Sequence, residues 1–212
     1  DSEKIECITL FSAQLNESEL AADKLFFQWE LLDIEFSNMF VYGEKNKLDF
    51  TKLPQHELIG LFAPNSRGKS SLIETILFSL YDNFGRNISS RNRGIPSYII
   101  NNKKTWFETK IRFKLGDAIY TVHKKGRIIG KIKSKTGKAI TFDIHSFTKL
   151  IGTEETNLTR KDRFETQKEN DNVIGTYDDF CLTTLFLQNK ELNFFDMKTQ
   201  DRKEFLYNLL YL

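Results

Sequence analysis

Residues 58 to 81 read Leu58-Ile59-Gly60-Leu61-Phe62-Ala63-Pro64-Asn65-Ser66-Arg67-Gly68-Lys69-Ser70-Ser71-Leu72-Ile73-Glu74-Thr75-Ile76-Leu77-Phe78-Ser79-Leu80-Tyr81. A short apolar run, Leu58 to Phe62, feeds a loop ending in Gly68-Lys69-Ser70. Leu72, Ile73, Ile76, Leu77 and Leu80 then recur at helical spacing. The order is strand, phosphate loop, helix. A polyphosphate needs many donors at once, and consecutive backbone N–H groups at the positive end of a helix dipole supply them. Gly68 has no side chain, so the backbone can close around the phosphates. Lys69 is placed to reach the β- and γ-phosphates as a point charge, and the Ser70 hydroxyl to ligate Mg²⁺. Ala63, Pro64, Asn65, Ser66, Arg67, Gly68, Lys69, Ser70 and Ser71 are therefore the expected nucleotide-binding segment. Ala63 stands where the pattern asks for Gly, which is tolerable if its φ stays below zero. An accidental glycine turn is the alternative, and it gives no reason for a strand before the loop and a periodic helix after it.

The 212 residues suffice for one large or two small domains, each with a real core. A hydrophobic share of 40% and a charged share of 28% are ordinary for a soluble globular protein. No apolar run approaches the roughly eighteen residues that cross a membrane, and no secretory leader is visible. Cys7 and Cys181 read as two reduced thiols of an intracellular protein. The chain starts at Asp1 and stops inside a helix-like run, Phe205 to Leu212, so a piece of a longer polypeptide is expected.

Net charge is only +2, but its distribution is uneven. Asn83 to Phe107 holds no acid against Arg86, Arg91, Arg93, Lys103 and Lys104. Ala118 to Phe142 holds none against Lys124, Lys125, Arg127, Lys131, Lys133, Lys135 and Lys138. On one expected strand Lys131, Lys133 and Lys135 alternate with Ile132 and Ser134. Their ammonium groups would stand about 6 to 7 Å apart on one face, close to the phosphate repeat of a nucleic-acid strand. A solvated hairpin edge is the competing explanation.

In chain order, residues 1–28 read as an N-terminal extension of unknown role. Leu31 to Phe40 alternates as a half-buried strand, and Lys47 to Phe50 is its partner across a Tyr42-Gly43 turn. Asn83 and Gly85 end the first helix, and 86–98 is a basic surface loop. Four strands follow, Trp106–Phe113, Ala118–His123, Arg127–Lys133 and Lys138–Phe142, with turns at Gly116-Asp117, Lys125-Gly126 and Thr136-Gly137. They form an antiparallel β-meander over about 105–145. Residues 153–172 are polar, a loop or a solvated helix start. Val173 to Asn189 is apolar again, ending in Leu185-Phe186-Leu187-Gln188-Asn189, and a helix with Phe205, Leu206, Leu209 and Leu210 on one face occupies 200–212.

From these residues, 31–212 resembles the N-terminal half of the ATPase head of the SMC superfamily, and within it the SbcC-like branch that serves DNA double-strand-break repair nucleases. The resemblance lies in the opening strand pair ending in Asp49-Phe50, in Pro64-Asn65 followed by Gly68-Lys69-Ser70, and in Ile99-Ile100-Asn101-Asn102 with the strands from Phe107 to Tyr120. It continues in Glu165-Thr166, Ile174-Gly175, Tyr177, Phe180 and Phe186-Leu187-Gln188, and in Arg202 to Leu212. It implies an α/β fold, a P-loop NTPase of ABC/SMC type with a mixed sheet around the P-loop helix and the added meander. It also implies ATP and Mg²⁺ as ligands, and Lys69 and Gln188 as catalytic groups. Ser70 and Gln188 would lie at the metal, with Gln188 orienting the attacking water as an amide can.

Ser66-Arg67 stands where the family usually has Gly-Ser. Neither the acid pair of a Walker B strand nor the Ser-Gly-Gly motif is visible, and in the family these lie beyond a coiled coil. The expected function is therefore the N-terminal lobe of a DNA-associated ATPase, inactive or weak by itself. Its expected partners are its own C-terminal lobe, a second head as homodimer, DNA (through Lys131, Lys133, Lys135, Arg91, Arg93, Lys103 or Lys104) and a nuclease subunit, inside the cell and away from membranes. Two alternatives are a non-hydrolysing SMC-like DNA clamp and a P-loop small-molecule kinase, the latter predicting a lid in place of the meander.

Overall fold

Alternation along the strands decides which side of the sheet is covered. In the computed structural model, which describes residues 29–54, 58–83, 97–131, 138–184, 198–200 and 202–203, β1 is Trp29–Ser37 and β2 is Asn46–Asp49. They are followed by β3, Trp106–Leu115, β4, Ala118–Lys131, β5, Lys138–Ile151, and β6, Glu154–Asn157. All pair antiparallel in one six-stranded sheet of order β2-β1-β3-β4-β5-β6. Phe107, Thr109, Ile111 and Phe113 of β3 point inward and are buried, while Glu108, Lys110, Arg112 and Lys114 point outward. Ile34 and Phe36 of β1, Tyr120 and Val122 of β4, and Phe142, Ile144 and Phe147 of β5 complete the inner layer.

The helix that follows the phosphate loop, α1 (Lys69–Tyr81), lies on this inner face. Phe78 is fully buried, edge-on to Phe107 at 5.5 Å and Phe142 at 4.9 Å between ring centroids. The Ser79 hydroxyl donates to Thr75 O at 2.6 Å and pairs with the Thr109 hydroxyl of β3, so this polar seam in the interface is satisfied. Two shorter helices cover the rest: α2, Arg163–Ile174, capped by the Asp162 carboxylate on Glu165 N at 2.9 Å, and α3, Tyr177–Thr183. Tyr81, Phe180 and Trp29 form an aromatic chain, with centroids 5.3 Å and 5.7 Å apart, that ties α1 and α3 to β1. The described residues from 29 to 184 belong to one compact unit; the described residues 198–200, 202 and 203 belong to a second, where Arg202 N donates to Lys198 O at 3.0 Å.

An ion-pair network closes the C-terminal end of α1. Lys124 is in the inward phase of β4 and completely buried. Its ammonium donates to Phe78 O at 2.9 Å, Asp82 Oδ1 at 2.5 Å and Gln167 Oε1 at 3.2 Å. Gln167 and Asn170 of α2 donate to Leu80 O at 2.8 and 2.7 Å. The last carbonyls of α1 thus receive a cation and two amides, as the negative end of a helix dipole favours. Burial pushes the Lys124 ammonium below the usual lysine range, and Asp82 partly offsets it. Burial likewise raises the Asp171 carboxyl.

The α/β class and the antiparallel meander agree with the expectation, and three details differ. First, all described pairings are antiparallel, and Leu58–Phe62 takes part in none of them: Leu58 is 101% and Phe62 93% exposed. Second, no turn forms at Lys125-Gly126, because β4 runs through it as one strand of 14 residues. Gly126 faces the Phe107 ring, where an added Cβ would lie 2.1 Å from Cε1, so this glycine makes room for an aromatic ring and does not reverse the chain. Third, the polar stretch 153–172 contains the strand β6, while the helix start expected there is met by α2, which Asp162 caps.

Candidate phosphate-binding site

The loop 63–68 joins the exposed apolar run to α1, and its shape is set by two left-handed residues. Ser66 has φ 62° and Gly68 φ 99°. For Ser66 that conformation carries a steric cost of about 1 kcal/mol or more, since a Cβ is present. Gly68 needs its missing Cβ twice over, because a Cβ there would also lie 2.8 Å from Val41 Cγ2 and 2.9 Å from the Tyr42 hydroxyl. Gly68 is the N-cap of α1; among the described residues no side chain caps that end, and no acid occupies its first turn. The first N–H groups of the helix therefore keep their donor capacity for an anion.

Lys69 bends back across the loop. Its ammonium donates to Pro64 O at 3.1 Å and to Ala63 O, drawing the loop into a ring. A phosphate inside that ring offers a charged acceptor, about twice as strong as a neutral carbonyl. Arg67 and Asn65 are exposed, Ser70 is exposed and Ser71 half-buried, its carbonyl accepting from Thr75 at 2.8 Å. The donor set of backbone N–H groups, Lys69 and Arg67 fits a polyphosphate. For Mg²⁺, Ser70 brings a single hard oxygen, which suits a cation that keeps waters and shares phosphate oxygens. Among the described residues no group of three or more His, Cys, Asp or Glu could hold a metal by itself.

Gly68 O, the N-cap carbonyl, accepts from Leu72 N at 2.9 Å and from the Tyr42 hydroxyl at 3.0 Å. In the sequence Tyr42 reads as a plain turn residue, and an aromatic before Gly43 gives no sign of a contact 26 residues away. Burial raises the Tyr42 phenol above its usual value, so it stays a donor.

Gln188, Arg91, Arg93, Lys133 and Lys135 lie outside the described residues, and of Lys131 only the backbone is described, at the end of β4. Lys103 is exposed, while Lys104 is paired with Glu44 at 2.5 Å. Two cations of the basic stretch 118–142 are also spoken for. Lys124 is inside, and Lys125 shares Glu108 with His123 at 3.3 and 2.6 Å. Glu108 sits low for a carboxylate: burial raises it, but the hydrogen bonds from His123 and Lys125 outweigh that. No helix among the described residues is long and apolar enough to cross a membrane, and Cys181 is a buried free thiol.

No family model matches the chain. Over 191 residues, 87% of its length, it is 32% identical to the uncharacterized protein R555 of Acanthamoeba polyphaga mimivirus, of which it covers 13%. Over 175 residues, 81% of its length, it is 24% identical to the SbcC component of the nuclease SbcCD of Clostridium acetobutylicum, of which it covers 14%. The chain thus spans 13–14% of the length of these curated relatives. Among solved structures, it is similar to a chain from "Structural biochemistry of ATP-driven dimerization and DNA stimulated activation of SMC ATPases". That match has a TM-score of 0.45 and 15% identity over 84% of this chain and 98% of that one. It is also similar to the recombination mediator protein RecF with ATP, at TM-score 0.36 and 18% identity over 55% of this chain and 28% of that one.

Proposed function

We propose that this chain is the nucleotide-binding lobe of a DNA-associated ATPase of the SMC superfamily, in its SbcC-like branch, binding ATP with Mg²⁺ at the 63–71 loop. The observation that carries this is the geometry around Gly68: a left-handed N-cap, an uncapped and acid-free helix start, and Lys69 closed over the loop. Backbone N–H groups of the first turn of α1 hold the phosphates, Lys69 moves from the loop carbonyls to the β- and γ-phosphates, and Ser70 offers its hydroxyl to the metal. A Mg²⁺ ion held there with the help of Ser70 would supply positive charge against the phosphates. Gln188 is assigned to orient water.

The sequence likeness to a component of the SbcCD nuclease supports a role in double-strand-break repair with a nuclease partner and DNA. Leu58–Phe62, apolar and exposed beside the loop, supports completion by further strands. We assign those to a C-terminal lobe, with dimerisation of two heads gating access to DNA. The test is calorimetric titration of ATP·Mg²⁺ into the folded chain, wild type beside Lys69→Ala. Binding that disappears with Lys69 is expected, and a folded wild-type chain that binds no nucleotide even with its C-terminal lobe supplied refutes the proposal.

A second reading, nucleotide binding without turnover, is favoured by Ser66, which strains a loop position usually left to glycine. Hydrolysis by the completed head separates the two.

A further inference from the structure

The hydroxyl of Tyr42 adds nothing to the core. Its ring is held edge-on to Phe36 at 5.1 Å, which a phenylalanine would do equally well, and the oxygen points away from that contact to Gly68 O. That carbonyl is also the acceptor of the first hydrogen bond of α1, so its direction sets the direction of the N–H groups that face a ligand. Tyr42 is itself anchored on both sides of its peptide: its N–H donates to Met39 O at 2.9 Å, and its carbonyl accepts from Asn101 Nδ2 at 3.0 Å.

Asn101 makes a node. Its N–H donates to Asn38 O at 2.9 Å, its Oδ1 accepts from Lys103 N at 3.1 Å, and its carbonyl from Lys104 N at 2.9 Å. Phe40 N–H donates to Ile99 O at 2.7 Å and Lys104 pairs with Glu44, so the turn after β1 and the segment 99–104 are stitched together at several points.

We propose that Tyr42 is a positioning residue for the phosphate loop, and that Asn101 extends its hold to the segment bearing Lys103 and Lys104. This rests on the loop being the nucleotide site proposed above. Gly68 then has a double requirement, a left-handed backbone and room for the Tyr42 oxygen.

The experiment compares wild type, Tyr42→Phe, Asn101→Ala and the double variant of the full chain by site-resolved hydrogen exchange, thermal melting and titration with ATP·Mg²⁺. In Tyr42→Phe the Leu72 amide, which donates to Gly68 O, should exchange about fivefold faster and ATP·Mg²⁺ should bind about fivefold more weakly, the worth of one neutral hydrogen bond. Exchange in β3 and β4 and the melting temperature should hold to within about 2 °C, which a merely structural role would not allow. The double variant should be no worse than the more affected single variant, because both act through one linkage. Tyr42→Phe decides without Asn101→Ala, should the latter fold poorly. Unchanged exchange at Leu72, or unchanged affinity in Tyr42→Phe when the wild-type chain binds, overturns the positioning role while the nucleotide site stands. Faster exchange with no binding by wild type overturns the nucleotide site, and with it the proposal.

Discussion

Replacing Lys124 by methionine should cost about 3 kcal/mol of folding stability, and the structure says where that figure comes from. Methionine fills nearly the same volume on β4, so little is lost in packing. What goes is a cation with three acceptors around it, at 2.9, 2.5 and 3.2 Å. Removing one member of a buried ion pair costs about 3–5 kcal/mol, because the remaining charge is left without compensation. Asp82 retains 18% side-chain exposure, so water relieves part of the penalty and the low end applies. Urea unfolding followed by tryptophan fluorescence measures it, with an accompanying fall in melting temperature of about 6–12 °C for a unit of this size. Asp82→Leu in the Lys124→Met background should recover part of the loss, since an apolar pair avoids the desolvation of both charges. A loss under about 1 kcal/mol for Lys124→Met would refute the reasoning and leave the network without energetic weight.

Gly126→Ala should destabilise by about 1–3 kcal/mol, since its Cβ would meet the Phe107 ring and that ring is fixed by Phe78. The same change in a Phe107→Leu background should cost less, by the same denaturant measurement. Burial holds the His123 imidazole below its ordinary value, against the opposing pull of Glu108, with Lys125 and His145 as neighbouring groups. The unfolded chain then binds more protons just below about pH 6.5, so stability should fall as pH drops through that window, and fall less in His123→Gln. Equal pH dependence in the two would count against it. Gly68→Ala should abolish nucleotide binding in the titration assay while the chain stays folded, because both φ and space forbid a Cβ.

Alternation and turn residues made the meander legible: the inward set Phe107, Thr109, Ile111, Phe113 can be read from β3 without coordinates. The turn into α1 was legible because Gly68 stands directly before a run of apolar residues at helical spacing. Other features depend on distant partners. Gly126 looks like a turn until Phe107 is placed over it, and Lys124 looks like one more surface cation until the phase of β4 turns it inward. Tyr42 and Asn101 carry no local pattern, because their partners lie 26 and 59 residues away. The exposure of Leu58–Phe62 is the reverse case. An apolar run reads as buried whenever strands beside it are taken for granted, and none of the described strands supplies an edge for it.

That run has a thermodynamic consequence for any ligand of the loop. Holding five residues of backbone in one extended conformation opposes association by roughly 5–10 kcal/mol of lost chain entropy, comparable with the whole binding free energy of a micromolar ligand. A partner that immobilises Leu58–Phe62 would remove this penalty in advance for any loop ligand whose binding needs the run ordered, and such a ligand would do the same for the partner. The two affinities would then rise together by one common factor, and the loop would respond to its ligand most strongly with the apolar run beside it already clasped.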